Sequence, residues 1–202
     1  MTASPTRVLV VRHGQSTWNA RGRWQGQADP PLSMLGQAQA SAAGAVMGMV
    51  DAIVSSDLVR AHQTAMHIAD AVGVGPVVLE PRLRETDAGE WSGLTRAEIE
   101  EQWPGYLEAH RRPPGFEHWT NVAERARAAL VDLALAFSGA TVLAVSHSGV
   151  IRCLERVLDV HDPILPNLGG RWFDVTAAGL AAGDRVLLID PDVVEVTMPG
   201  SR

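Results

Sequence analysis

The run Arg7-Val8-Leu9-Val10-Val11-Arg12 constrains this chain more than any other stretch. Four apolar residues stand in a row, and the run stops abruptly on Arg12, His13 and Gly14. A strand with one wet face alternates apolar and polar residues, so an unbroken apolar run calls for cover on both faces. "TVLAV" at Thr141 to Val145 reads the same way. Further strand candidates are Ala52 to Ser55, Val77 to Leu79, Trp172 to Thr176 and Arg185 to Ile189. Between them lie helical patterns. Ser33 caps an apolar stripe running to Val50, and a second helix covers Leu58 to Ala71. "TRAE" (Thr95 to Glu98) is a capping box, and "NVAE" (Asn121 to Glu124) a weaker one that would head a helix ending at Phe137. A last helix is expected over Val150 to Leu158.

Strand–helix alternation predicts an α/β fold: a three-layer sandwich, its central sheet mostly parallel and helices on both faces. Residues 80–119 break the rhythm, crowding prolines, glycines and tryptophans around short helices, and read as a cap insertion over one end of the sheet. At 202 residues and 46% hydrophobic composition, the expectation is a single domain over 1–202.

Charge narrows the partners. The formal net charge is −6, which gives no basic excess for nucleic acid. All 17 basic residues are arginines, so every cation carries the planar fork that grips phosphate or carboxylate. Cys153 is the single cysteine, which leaves no internal disulfide framework. The start "MTASPTR" has no apolar leader core, and no apolar stretch reaches the ~18 residues of a membrane span. A cytoplasmic protein is expected.

Open α/β sheets bind ligands beyond the carboxyl ends of their strands, where helix N-termini point. The first strand delivers Arg12 and His13 there; the second delivers Ser55-Ser56-Asp57, with Arg60 one turn on. Glu85 follows the third, in "PRLRETDAGEW", and Ser146-His147-Ser148-Gly149 follows the fourth. Any one of these has an ordinary reading as a solvated or hydrogen-bonded residue. Their convergence on one edge does not. Two histidines, two arginines and a glutamate with no metal-ligand cluster suit phosphoryl transfer through a phosphohistidine. Arginines neutralise the phosphoryl oxygens, and a neutral imidazole attacks while its other nitrogen is pinned as N–H. A carboxylic acid protonates the leaving oxygen. Asp87 and Glu90 lie within five residues of Glu85, and on sequence either could be that acid.

"RHG" at Arg12, "N-x-x-x-R-x-Q-G" (Asn19 to Gly26), "LS-x-x-G-x-x-QA" (Leu32 to Ala40), "SSDL-x-RA-x-QTA" (Ser55 to Ala65), "E-x-x-x-G-x-W-x-G" (Glu85 to Gly93) and "SHSG" (Ser146 to Gly149) occur in this order. Together they resemble the histidine phosphatase superfamily, also called phosphoglycerate-mutase-like, over about residues 7–176. The resemblance implies His13 as phosphorylated nucleophile and Glu85 as proton donor. It implies Arg12, Arg60 and His147 as the phosphate pocket, Asn19 and Gln25 as further phosphate contacts, and Ser148 beside the substrate. No metal and no organic cofactor are implied, and relatives often dimerise, so a homodimer is open.

Within the family, "RHGQSTWN", "RLRETDAGEW" and "NLGG" look most like the phosphatase branch that holds glucosyl-3-phosphoglycerate phosphatases. The expected partner is a small phosphorylated metabolite, hydrolysed without metal. Two rivals stand beside this reading. A phosphoglycerate mutase would carry a tyrosine where Ala88 stands and a longer insertion. A non-catalytic phosphate-binding module would not need His13, Glu85 and His147 intact. The pair Arg111-Arg112 and the six tryptophans have no assigned role.

Overall fold

Successive residues of a strand point to opposite faces, and here each face finds its own core. In the computed structural model, which describes residues 4–160 and 162–190, six strands form one sheet of order β3-β2-β4-β1-β5-β6. They are β1 (Thr6–Arg12), β2 (Ala52–Ser55), β3 (Val78–Leu79), β4 (Thr141–Ser146), β5 (Gly169–Thr176) and β6 (Gly179–Leu187). The first four are parallel to one another, while β5 and β6 join antiparallel, so the sheet is mixed. The expected span 1–202 includes residues 1–3, 161 and 191–202, which lie outside the described residues.

The helices are α1 (Met34–Val46), α2 (Val59–Val72), α3 (Arg96–Gln102), α4 (Trp119–Ala136) and α5 (Ser148–Val157). Val8, Val10, Val54, Val142 and Ala144 face α4 and α5, burying against Leu130, Ile151 and Leu154. Their neighbours Leu9, Val11, Ile53, Leu143 and Val145 face α1 and α2, against Ala43, Ala65 and Ile68. Helices on both sides are why the strands carry no polar alternation. Residues 80–119 hold α3 and two 3-10 turns. They bury a third cluster of Ala88, Trp91 and Ile99, with Trp24, Trp103, Tyr106 and Phe116 packed against it. Trp91 is fully buried, so truncating it to alanine is expected to cost ~3–5 kcal/mol.

Several boundaries differ from the sequence reading. α1 stops at Val46 rather than Val50, and Met49 stands almost fully exposed, with no core to hold further turns. The Thr95 box is present with both of its hydrogen bonds, but "NVAE" lies inside α4. His118 caps that helix instead, its ring accepting from Thr120 N. β5 begins at Gly169 and β6 at Gly179, three and six residues early. Gly170, inside β5, is required by the sheet. A Cβ on Gly170 would sit 2.6 Å from the carbonyl oxygen of Val10 on β1.

Candidate active site

The parallel register sets the site. Arg12 on β1 stands opposite Ser146 on β4, and Ser55 on β2 opposite Val145. The chain then leaves the sheet on three fronts at one level, at His13, Ser56 and His147. The hydrogen bonds from His13 N to Ser146 O (3.0 Å) and from Ser56 N to Val145 O (2.9 Å) fasten that edge.

His13 and His147 meet edge to face, with ring centroids 5.1 Å apart, and both are buried. Nδ1 of His13 lies 2.6 Å from the Gly14 carbonyl oxygen. A carbonyl only accepts, so Nδ1 carries the proton and Nε2 the lone pair. Arg60 donates its Nε–H to that Nε2 at 3.2 Å, while its Nη1 and Nη2 donate to the carbonyls of Ala28 (2.8 Å) and Gly26 (2.9 Å). Burial, then the charges of Arg60 and Arg12, hold the His13 pKa well below its ordinary 6.5. His147 is lowered likewise by burial, Arg60 and His13. Its Nε2 meets Ser56 Oγ at 3.0 Å, and its buried Nδ1 has no hydrogen-bond partner among the described residues. Burial also lowers the Arg12 and Arg60 guanidiniums, to about 10, which leaves both cationic at neutral pH.

Glu85 reaches this group from the loop after β3. Its Oε1 accepts from Thr86 N at 2.8 Å and its Oε2 from Gly149 N at 3.3 Å, in the first turn of α5. A Cβ at position 149 would fall 2.1 Å from Glu85 Oε1, so glycine there makes the room the carboxylate occupies. Glu85 lines an open cleft of about 2160 Å³ together with Arg12, His13, Asn19, Gln25 and Ser148. Asp87 and Glu90 do not line it. Asp87 Oδ1 is instead spent on Gly89 N, closing a turn at 2.9 Å.

Asn19 and Gln25 are both tied to Ser16. Asn19 Oδ1 accepts from Ser16 N at 3.1 Å, and Gln25 Oε1 accepts from Ser16 Oγ at 2.6 Å. Each amide thus uses its oxygen on the scaffold and keeps its NH₂ donors for the cleft. The structure therefore brings together all eight residues singled out in the sequence. Among the described residues, no group of three or more His, Cys, Asp and Glu is arranged to hold a metal ion, and no helix is long and apolar enough to cross a membrane.

Three supports were not foreseen. Asn167 donates its side-chain N–H to the His13 carbonyl at 2.9 Å, and Leu168 N donates to Arg12 O at 3.0 Å. The neighbouring Leu165 carbonyl accepts from Arg12 Nη1 at 3.0 Å. Loop 162–168 thus holds Arg12 and His13 from behind, and the quoted "NLGG" was its only trace in the sequence. That loop is itself anchored by a buried ion network. Glu155 on α5 accepts from Arg171 Nε at 2.7 Å and from Arg185 Nη2 at 2.9 Å, and both arginines also pair with Asp162. Third, Arg125 on α4 donates to the carbonyls of Arg82 (2.7 Å), Arg84 (2.6 Å) and Glu85 (3.1 Å), with Glu117 holding its other edge. It fixes the loop that carries Glu85, and no local pattern announces it.

Fold and site together define a class: an α/β protein with two buried histidines, two buried arginines and a glutamate gathered at the carboxyl edge of its parallel strands. Comparison with known proteins makes the class specific. The profile of the histidine phosphatase superfamily (branch 1) matches residues 8–177, and the chain belongs to that superfamily. It is 39% identical over 177 residues to the bifunctional protein Rv2228c of Mycobacterium tuberculosis, covering 82% of this chain but 48% of that one. It thus spans about half the length of the first curated relatives it matches. It is 39% identical over 181 residues to glucosyl-3-phosphoglycerate phosphatase from the same organism, covering 81% of this chain and 80% of that one. A solved mycobacterial glucosyl-3-phosphoglycerate phosphatase in complex with VO3 superposes with a TM-score of 0.77 at 34% identity, covering 84% of this chain and 91% of that one.

Proposed function

We propose that this protein is a phosphoric monoester hydrolase that removes the phosphoryl group from a small phosphorylated metabolite through a phosphohistidine at His13. The observation that carries the reading is the state of His13. Its Nδ1 is pinned by the Gly14 carbonyl, and its Nε2 lone pair accepts from Arg60 Nε–H, with the charge of Arg12 also bearing on the buried ring. In the first step Nε2 forms a bond to phosphorus while the bond to the ester oxygen breaks, and Glu85, as the acid, gives that oxygen its proton. In the second, water attacks the phosphohistidine. The Glu85 carboxylate takes a proton from the water, the P–N bond breaks, and inorganic phosphate leaves with His13 neutral again. Arg12, Arg60 and the NH₂ groups of Asn19 and Gln25 would hold the equatorial oxygens, and the unpartnered Nδ1 of His147 offers one more contact. No step calls for a metal.

Relatives named glucosyl-3-phosphoglycerate phosphatase support a phosphatase over a mutase, and Ala88 leaves no phenol beside the acid. The test pairs two substrates. Glu85→Gln should slow an alkyl phosphate about 100-fold or more and p-nitrophenyl phosphate far less, because nitrophenolate leaves without a proton. Wild-type turnover should survive EDTA. Loss of activity on chelation, restored by Mg²⁺ or Zn²⁺, would contradict the reading.

A further inference from the structure

A neutral imidazole has one N–H to give, and which nitrogen carries it decides whether the ring can hold an anion. His147 meets that choice with one nitrogen engaged and the other bare. Burial, and then the charge of Arg60, keep the ring neutral. It is the N-cap residue of α5 yet makes no side-chain capping bond, so neither nitrogen is spent on the helix. Nε2 lies 3.0 Å from Ser56 Oγ, and the buried Nδ1 has no partner among the described residues.

Ser56 decides between the two forms through what its own oxygen already does. The residue is fully buried just beyond β2, and its N–H is fastened to the Val145 carbonyl. Its Oγ accepts from Leu58 N at 3.3 Å, the bond two residues on that a serine hydroxyl makes in a turn. A hydroxyl has one proton and two lone pairs. With the Leu58 N–H on one lone pair, the proton needs an acceptor. Among the described residues, only His147 Nε2 stands within hydrogen-bond distance to receive it.

The two forms differ in what they leave unmet. A proton on Nε2 would take the second lone pair of Oγ, so the serine proton would be buried without an acceptor and the Nδ1 lone pair without a donor. A serine that donates to Nε2 leaves only the Nδ1–H over. Two unmet buried groups cost more than one. The one that remains is also a donor, on a ring packed against His13 and within the field of Arg60 and Arg12, where a phosphoryl oxygen would arrive.

We propose that Ser56 is a positioning residue: its hydroxyl donates to Nε2 of His147, fixes the ring proton on Nδ1, and so makes an uncharged imidazole a hydrogen-bond donor to the phosphoryl group. The proposal rests on the phosphatase reading above and deepens it. Without the hydroxyl, the ring is free to present the Nδ1 lone pair instead, which repels the phosphoryl oxygens it should hold.

Two-bond ¹H–¹⁵N correlation spectra of protein labelled at the histidine nitrogens, recorded at pH 7.5 in phosphate-free buffer, read the tautomer of each neutral ring. His147→Asn identifies the His147 signals by their loss. Wild type should show His147 protonated at Nδ1 and bare at Nε2. Ser56→Ala should move that ring wholly or partly to the Nε2–H form. His13, pinned by the Gly14 carbonyl, should keep its Nδ1–H form in the same spectrum and so report an intact site. In kinetics, Ser56→Ala should lower kcat/KM by about 10-fold or more. The loss should be equal for propyl phosphate and p-nitrophenyl phosphate, because the donor serves the phosphoryl group and not the leaving oxygen. A wild-type His147 protonated at Nε2, or a Ser56→Ala spectrum with the Nδ1–H form intact, would overturn the proposal and leave the phosphatase standing. So would an unchanged kcat/KM in Ser56→Ala. A wild-type protein inert towards p-nitrophenyl phosphate, with the tautomers as described, would overturn the phosphatase reading and leave the Ser56–His147 hydrogen bond as found.

Discussion

The Nε–H of Arg60 points at Nε2 of His13 from 3.2 Å, so a permanent cation is hydrogen-bonded to an imidazole lone pair. That contact and the burial of both groups oppose a proton on the ring. In the proposed reaction Arg60 must yield Nε2 to phosphorus, and the incoming phosphoryl oxygens are the natural new partners for its N–H groups.

Stability should therefore depend on pH near neutrality. His13 and His147 stay neutral in the folded protein, whereas in the unfolded chain each takes up a proton near pH 6.5. Below that point the unfolded state binds more protons, so folding stability is full above about pH 6.5 and falls as the pH drops. Each imidazole contributes up to ~1.4 kcal/mol per pH unit. Urea unfolding between pH 7.5 and 5.5 reads the slope, above the range in which the lowered carboxyls of Asp57, Glu80 and Glu117 titrate. His147→Asn should be flatter than wild type; equal slopes would mean that His147 is charged in the fold.

Gly149→Ala should reproduce the Glu85→Gln phenotype. Its methyl would displace Glu85 Oε1 while leaving phosphate contacts in place. Alkyl phosphate turnover should fall by about 30-fold or more with p-nitrophenyl phosphate little changed. Equal loss on both substrates would mean that the α5 turn, rather than the acid, had been disturbed.

Arg125→Met tests the loop that carries Glu85. The change takes the Arg125 donor from the carbonyls of Arg82 and Arg84 and leaves that of Glu85 with Gln27 Nε2 alone, at 3.3 Å, and should destabilise the fold by ~2–4 kcal/mol. In protein that remains folded, kcat for alkyl phosphates should drop more than kcat for p-nitrophenyl phosphate. A stability loss with the ratio of the two unchanged would confine Arg125 to packing.

Much of this was legible in the chain because it is local. Continuous apolar runs announced a doubly covered sheet, and strand ends followed by polar residues announced His13, Arg60, Glu85 and His147 at one edge. Glu85 was chosen over Asp87 and Glu90 by its place in the family motif rather than by its local chemistry, which the three carboxylates share, and in the fold Glu85 lines the cleft while the other two do not. The supports by Arg125 and Asn167 were silent for a related reason. Each bonds backbone carbonyls far away in sequence, a contact any arginine or asparagine could make, so no residue pattern marks it. β5 and β6 begin earlier than Trp172 and Arg185 because their first residues include glycines, which carry no apolar pattern, while close pairing with β1 makes glycine the residue that fits at position 170.

Glu155→Gln should weaken the ion network behind loop 162–168. Removing its charge leaves Arg171 and Arg185 with Asp162, which is more exposed, as their only shared carboxylate among the described residues, at a cost of about 3 kcal/mol or more. Because that loop holds Arg12 and the His13 carbonyl, KM for phosphate esters should rise together with the drop in Tm. A lowered Tm with unchanged KM would show the network to be structural alone.

The proposed reaction passes through a covalent bond between His13 and phosphorus, and rapid quenching reads it directly. Glu85→Gln protein mixed with ³²P-labelled p-nitrophenyl phosphate should accumulate a label that is lost in acid and kept in base, as a phosphoramidate is. That label should map to the peptide carrying His13 and be absent from His13→Ala, which should not turn over. Label on another residue, or His13→Ala hydrolysing the ester within about tenfold of wild type, would contradict the account.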